Sequence, residues 1–273
     1  FFSTPTPPSP ILSGLVGSEM CIRDSTDIWL QQVAPLSSRV AQAVHGGLLA
    51  DRLAWVFVAG YQCALRHTFA QLPAGSMAAF AVSEDRKGEP PLPGVTATVR
   101  NGETKVSGYK TWVACCATLS HLIIKSDRGD KANYYCLERG SHGLTLTPKY
   151  GAFLAEMSQG VAQLNQVAVA TPLDATQVSH FGIRETLYIY MAFCAWAGKF
   201  SKSAETCEAL IHRLARLVEQ PPKDEAGLVE LKLVDQAVQT LRESIPTTAA
   251  ANYEQDQRLI AMYSPGIQRR ESQ

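Results

Sequence analysis

The stretch that most constrains the fold is residues 76–118, SMAAFAVSEDRKGEPPLPGVTATVRNGETKVSGYKTWVACCAT. It opens with an apolar segment, residues 78–82, which predicts a short buried strand. Residues 95–100 alternate between apolar and polar side chains, and this is the period of a half-buried strand. Asn101-Gly102 then predicts a tight hairpin turn. We expect the return strand to continue through Trp112 and to end in the following Val-Ala-Cys-Cys.

Two motifs in this stretch resemble signatures of the acyl-CoA dehydrogenase family. The first is an apolar strand ending in Ser-Glu, residues 80–85 (Phe-Ala-Val-Ser-Glu-Asp), in which Asp85 replaces the family's proline. The second is Gly-x-Lys-x-Trp, residues 108–114 (Gly-Tyr-Lys-Thr-Trp-Val-Ala), in which Ala114 replaces a hydroxyl residue. The resemblance implies an α+β fold with N-terminal helices, a middle antiparallel β-barrel and a C-terminal helical bundle.

The same resemblance implies a flavin cofactor, FAD, because the two motifs line the flavin in the family. Carried over, the first motif places Val82 and Ser83 at the pyrimidine side of the ring. The second places Trp112, Val113 and Ala114 against the ring and near its N5 atom. Ordinary structural roles stay open for two of these residues: Trp112 as barrel core and Ser83 as a hydroxyl that caps a turn.

The rest of the chain follows the domain order that the resemblance implies. Residues 26–75 have helical character, with Ser37 or Ser38 as the cap of a first helix and a break at residues 45–47. Residues 76–173 contain several short strands with regular turns, and this favours a barrel or sandwich. Residues 174–273 return to helices, and leucine and valine between residues 228 and 245 recur at spacings of three and four.

Residues 1–25 differ from everything that follows. They are rich in Pro, Ser and Thr, and residues 14–25 resemble translated sequencing-adapter read-through. A targeting peptide is disfavoured because an early basic region and a continuous apolar run are both missing. We expect a non-native leader that packs against nothing, and a chain truncated at both ends relative to the family.

Glu185 is the candidate catalytic base. Dehydrogenation of an acyl-CoA requires a carboxylate that removes the α-proton of the thioester while the β-hydride passes to the flavin. In some members of the family this Glu lies early in the first helix after the β-domain, near the position of Glu185. The family's usual order there is Glu-Arg, whereas this chain has Arg184-Glu185. The alternative role is a first-turn Glu that interacts with the helix dipole.

Composition and charge exclude several other classes of function. The 25 basic and 25 acidic residues balance, so no nucleic-acid surface is indicated. The seven cysteines lack the spacing of a zinc site or a disulfide framework, which favours a reducing, cytoplasmic setting. The six histidines show no metal-ligand spacing, and no apolar run is long enough to cross a membrane.

Three functions remain open at this point. The first is an FAD-dependent acyl-CoA dehydrogenase-like enzyme, acting on the CH–CH bond of an acyl-CoA and working as a homo-oligomer with an electron-transfer partner. The second is a flavin-dependent monooxygenase of the same fold, which needs no catalytic Glu. The third is a catalytically degenerate, non-enzymatic paralogue, which the departures at Asp85 and Ala114 favour.

Overall fold

The computed structural model of the chain describes residues 26–85, 87–200, 204–222 and 224–271. The leader predicted for residues 1–25 lies outside these ranges, and so does the expectation that it packs against nothing. Within the described ranges, helices precede and follow seven strands. None of the helices in these ranges is long and apolar enough to span a membrane.

Regular elements follow one another in the predicted order of helices, strands and helices. The strands are β1 (Ala78–Ala81), β2 (Thr96–Arg100), β3 (Glu103–Lys110), β4 (His121–Ser126), β5 (Asn133–Glu138), β6 (Leu144–Lys149) and β7 (Gln159–Val169). The helices are α1 (Arg39–Leu49), α2 (Leu53–Thr68), α3 (Ala175–Ser179), α4 (Phe181–Ala197), α5 (Ala204–Glu219), α6 (Glu225–Ser244), α7 (Tyr253–Asp256), α8 (Arg258–Ala261) and α9 (Ser264–Gln268). A π-helical turn, Trp29–Val33, precedes α1, and a 3₁₀ turn, Gly129–Lys131, follows β4.

Local signals placed several of these elements correctly. Ser38, one of the two predicted caps, accepts a hydrogen bond from the Ala41 N–H at 3.0 Å and starts α1. Asn101 and Gly102 join β2 to β3 with φ angles of 53° and 81°, as the tightest hairpin turns require. The predicted apolar stripe of α6 faces the core, where Leu231, among others, is buried.

The strands form two sheets, and no closed barrel is found in the described part of the chain. One sheet has the order β2-β3-β7-β6 and is antiparallel throughout. The other has the order β1-β4-β5, and β1 pairs with β4 in parallel. Asp127 connects the two sheets at the turn after β4: its N–H donates to Val95 O at 2.9 Å and its carboxylate accepts from Ala97 N at 3.1 Å. The Asp127 side chain thus joins the two sheets at a place where the strands of a closed barrel would be paired by backbone hydrogen bonds.

Helix α4 is the centre of the helical part. It packs against α1, α2 and α5, and its apolar residues are buried on nearly every face. The break predicted at residues 45–47 is wrong, because α1 continues through both glycines to Leu49. These glycines permit a close helix crossing: a Cβ atom on Gly47 would lie 2.2 Å from the carbonyl oxygen of Ala192 in α4.

The C-terminal segment, residues 253–268, differs from its prediction. The apolar Tyr253, Leu259 and Ile260 predict one last helix that ends before Ser264, but the structure has three short helices, α7 to α9. Ser264-Pro265 begins α9 here, because a proline in the first turn of a helix sacrifices no hydrogen bond. This segment returns to the side of α4 and forms part of the wall described next.

Candidate active site

A cavity of about 890 Å³ lies where the two sheets meet α4 and the C-terminal segment. Its volume is in the range of small-molecule sites. Side chains from the end of β1, the loop after β3, the turn after β4, α2, α4 and the C-terminal segment line it. Val82, Ser83, Trp112 and Glu185, four of the six residues predicted from the sequence, are among them.

Glu185 reaches the cavity from α4 as a half-buried carboxyl group. Burial raises its pKa to about 7, because a carboxylate loses water that the protein replaces only in part, while the hydroxyl of Tyr263 opposes this rise. The alternative role of Glu185, a first-turn residue that interacts with the helix dipole, is wrong, because α4 begins at Phe181 and its first turn holds no acid. A group that titrates near neutral pH in a cavity is suited to accept a proton.

Two tyrosines flank this carboxyl group. The hydroxyl of Tyr263 lies 3.4 Å from Glu185 Oε1. The hydroxyl of Tyr61, on α2, accepts from the N–H of Phe80 at 2.7 Å, so that its position is fixed by the backbone of β1. Burial and the charge of Glu185 raise the pKa of both tyrosines well above the ordinary value. Both hydroxyls therefore stay protonated at neutral pH and can donate hydrogen bonds.

A backbone hydrogen bond and an ion pair join the two predicted motifs. The N–H of Thr111 donates to Ser83 O at 3.0 Å. The amine of Lys110, 1% exposed, lies 2.6 Å from Glu84 Oε1. These contacts place Ser83 and Trp112 on one side of the cavity, although 28 intervening residues separate them in the chain.

Trp112 follows β3 and is not part of it. The return strand predicted to run through Trp112 ends at Lys110, because Trp112 has a left-handed φ of 58° that no strand accommodates. Its ring is 38% exposed towards the cavity and meets Phe57 edge-on, with ring centres 6.1 Å apart. Val113 and Ala114 turn away: their side chains are buried, and the Val113 N–H bonds to Gly160 O at 2.9 Å.

No family model matches the sequence, and no curated protein matches it. Solved structures match it over most of its length. An FAD-dependent dehydrogenase superposes with a TM-score of 0.65 at 11% identity, over 97% of each chain. A probable acyl-CoA dehydrogenase from Mycobacterium abscessus gives 0.56 at 11% identity, over 90% of this chain and 94% of the other. The prolyl acyl carrier protein oxidase AnaB gives 0.58 at 14% identity, over 92% and 82%.

The chain has the acyl-CoA dehydrogenase-like fold. At identities of 11% to 14%, these likenesses concern the fold, and they confirm the resemblance that two short motifs predicted.

The sequence did not point to several of the residues that line this cavity. Tyr61 is one apolar residue among many on α2, and Tyr263 precedes a Ser-Pro-Gly that was interpreted as a helix end. Lys125 and Asp130 reach the cavity from β4 and its following turn. No local pattern marks these residues, because long-range packing brings them together. No group of three His, Cys, Asp or Glu side chains in the described ranges is arranged to hold a metal ion.

Proposed function

We propose that this chain is an FAD-dependent oxidoreductase that dehydrogenates an acyl thioester, with Glu185 as the base. The observation that carries the proposal is one cavity that brings together Glu185, whose pKa is raised to about 7, with Ser83 and Trp112 of the two motifs. The names of the structural neighbours support it, since they include an FAD-dependent dehydrogenase and an acyl-CoA dehydrogenase.

The cavity walls suit a flat aromatic group. Val82 and Trp112 are 41% and 38% exposed, and large apolar side chains with such exposure in a concave site are typical of ligand-binding surfaces. Ser83 is exposed beside them and offers a hydroxyl that donates or accepts. We infer that these three residues hold the flavin ring. When bound, FAD supplies the acceptor for the hydride that leaves the β-carbon.

The chain's own residues provide the proton chemistry. A Glu with a pKa near 7 is partly ionised at neutral pH and is a stronger base than a solvated one. The rings of Tyr61, Phe80 and Phe181 line the cavity around it and limit the water that reaches the carboxylate. The α-proton of a thioester bound there passes to an oxygen of Glu185.

The proposed substrate is an acyl group on CoA, and an acyl group on a carrier protein is the alternative. The alternative is supported by the name of one neighbour, a prolyl acyl carrier protein oxidase. An electron-transfer partner and a homo-oligomer complete the proposal.

Three measurements test this function. Purified protein should show the absorbance of bound flavin, and an acyl-CoA or acyl carrier protein thioester added without oxygen should bleach it. Glu185→Gln should keep the flavin and lose the bleaching. Glu208→Gln, at an exposed position of α5, is the matched control and should behave as the wild type. If the purified protein holds no flavin, the degenerate, non-enzymatic paralogue is the explanation that remains. If the protein holds flavin that only a partner reductase can reduce, the monooxygenase is indicated.

A further inference from the structure

The hydroxyl of Tyr263 supplies the one side-chain hydrogen bond to Glu185 found among the described residues, at 3.4 Å. This distance is longer than the 2.5–2.7 Å of a strong hydroxyl–carboxylate bond. A small movement of either side chain would bring the Tyr263 hydroxyl closer to Glu185 Oε1. Tyr263 is half-buried, and its ring packs edge-on against Tyr190 of α4, which limits its freedom to turn away.

A buried carboxylate holds the C-terminal segment in this place. Asp235, on α6, is 1% exposed. Its Oδ2 accepts from Ser264 Oγ at 2.7 Å and from Gln268 Nε2 at 2.6 Å. Its Oδ1 accepts from Tyr190 Oη on α4 at 2.7 Å. Ser264 is the residue after Tyr263, so these bonds fix the backbone that carries the Tyr263 side chain.

The same cluster also holds the segment before Tyr263. Gln239 Nε2 donates to the carbonyl oxygen of Ile260 at 3.2 Å, and Tyr190 Oη, whose proton goes to Asp235, lies 3.3 Å from the same oxygen. The ring of Tyr190 packs edge-on against the ring of Tyr263, with centres 6.2 Å apart. Tyr263 is therefore held on both sides along the chain and by its ring.

Among the described residues, few other ionisable groups line the cavity beside Glu185. Tyr61 approaches from α2, and its hydroxyl is engaged with the backbone of Phe80. Lys125 and Asp130 line the same cavity from β4 and its turn, and the amine of Lys125 lies over the ring of Tyr134 at 6.0 Å. Tyr263 is the group placed to bond directly to the carboxylate.

We propose that Tyr263 is a positioning residue for Glu185: Asp235 holds the neighbouring Ser264 and the packed Tyr190, and the hydroxyl of Tyr263 orients the carboxylate and stabilises its charged form. The catalytic meaning of this contact rests on the proposed function, whereas the contact itself does not. Because a donor to the ionised form favours that form, Tyr263 makes Glu185 a better-oriented base with a smaller fraction protonated at neutral pH.

An NMR titration of the purified protein tests this contact. Glutamate labelled with ¹³C at Cδ reports the protonation of each carboxyl group, and Glu185→Gln identifies the signal of Glu185 by its loss. In Tyr263→Phe, we expect the pKa of Glu185 to rise by about half a unit to one unit. Tyr253→Phe removes another largely buried hydroxyl, which donates to Arg242 O, and should leave that pKa unchanged.

The direction of the change in the pKa of Glu185 distinguishes a positioning role of Tyr263 from a packing role. If Tyr263 served only to fill space, replacing it would admit water and lower the pKa of Glu185. A fall in this pKa in Tyr263→Phe, or no change, would therefore overturn the proposal.

A second measurement is made without a Tyr263 variant: the ¹³Cζ signal of Tyr263 in the wild type should shift with the titration of Glu185, and this shift should vanish in Glu185→Gln. A Tyr263 signal that ignores that titration would also overturn it. Neither readout requires bound flavin or activity, so a failure of the proposed function remains distinguishable.

Discussion

Glu185 and Lys110 are ionisable side chains that the fold removes from water in different ways. Lys110 is 1% exposed and has Glu84 as a partner at 2.6 Å. Glu185 has only a tyrosine hydroxyl at 3.4 Å in the described structure, so burial dominates and its pKa rises to about 7. The first arrangement stabilises a charge, and the second keeps a carboxyl group ready to change its charge.

Glu185 should make stability depend on pH. Its folded pKa of about 7 exceeds its ordinary value of 4.5, so the folded state keeps its proton to higher pH than the unfolded state does. The stability that this proton provides is complete below about pH 4.5 and is lost as pH rises through 7. Glu185→Gln removes this loss and should stabilise the protein by up to about 3 kcal/mol at pH 8, with little effect at pH 4.5. Urea unfolding at both pH values measures this difference, and an equal effect at the two would contradict it.

Lys110→Met should remove the nearest cation of the Glu84 carboxylate, which is 12% exposed and whose other cation, Arg128, lies 4.0 Å away and is 69% exposed. Breaking such a pair costs about 3 kcal/mol, because the remaining charge keeps its desolvation penalty. Lys105→Met is the matched control in the same strand: Lys105 is 41% exposed and lies 3.7 Å from Glu103, so its loss should cost less than about 0.5 kcal/mol. Equal midpoints of urea unfolding for the two variants would show that the Lys110–Glu84 pair adds no stability.

At the scale of elements, what could be predicted was local. The Ser38 cap, the Asn101-Gly102 hairpin and the stripe on α6 each depend on residues a few positions apart. The parallel pairing of β1 with β4 was not predictable in this way, because it joins segments about 40 residues apart. The left-handed φ of Trp112 was not predictable either, because its neighbour Val113 bonds to Gly160, which is more than 40 residues away in the chain. The sequence therefore placed Ser83, Trp112 and Glu185 in one site only through the family resemblance.

The crossing of α1 and α4 gives a prediction at this scale. A Cβ atom on Gly47 would approach the Ala192 carbonyl oxygen to 2.2 Å, and the helices must separate to admit it. Gly47→Ala should therefore cost about 1–3 kcal/mol, although alanine is the better helix former. Gly266→Ala, in α9, meets nothing within 4 Å and should be neutral or stabilising. Thermal unfolding distinguishes the two, and a Gly47→Ala protein as stable as the wild type would mean that the helices are less closely packed.

At the scale of the whole molecule, the site is built where three parts meet. The sheets bring Ser83 and Trp112, the buried helix α4 brings Glu185, and the C-terminal segment brings Tyr263. Since α4 packs against α1, α2 and α5, the carboxyl group is carried by a helix that is buried along most of its length. A site on such an element keeps its geometry better than one on a loop. The account's central claim is that Glu185 removes a proton from a substrate in this cavity.

Exchange of the α-proton of a bound acyl thioester with deuterated water tests that claim most directly. The flavin-loaded wild type should exchange the α-proton, and Glu185→Gln should keep its flavin while losing the exchange by at least about 100-fold, the usual share of a general base. Glu208→Gln should exchange at the wild-type rate, since its side chain is exposed on α5. Exchange at an undiminished rate in Glu185→Gln would contradict the account.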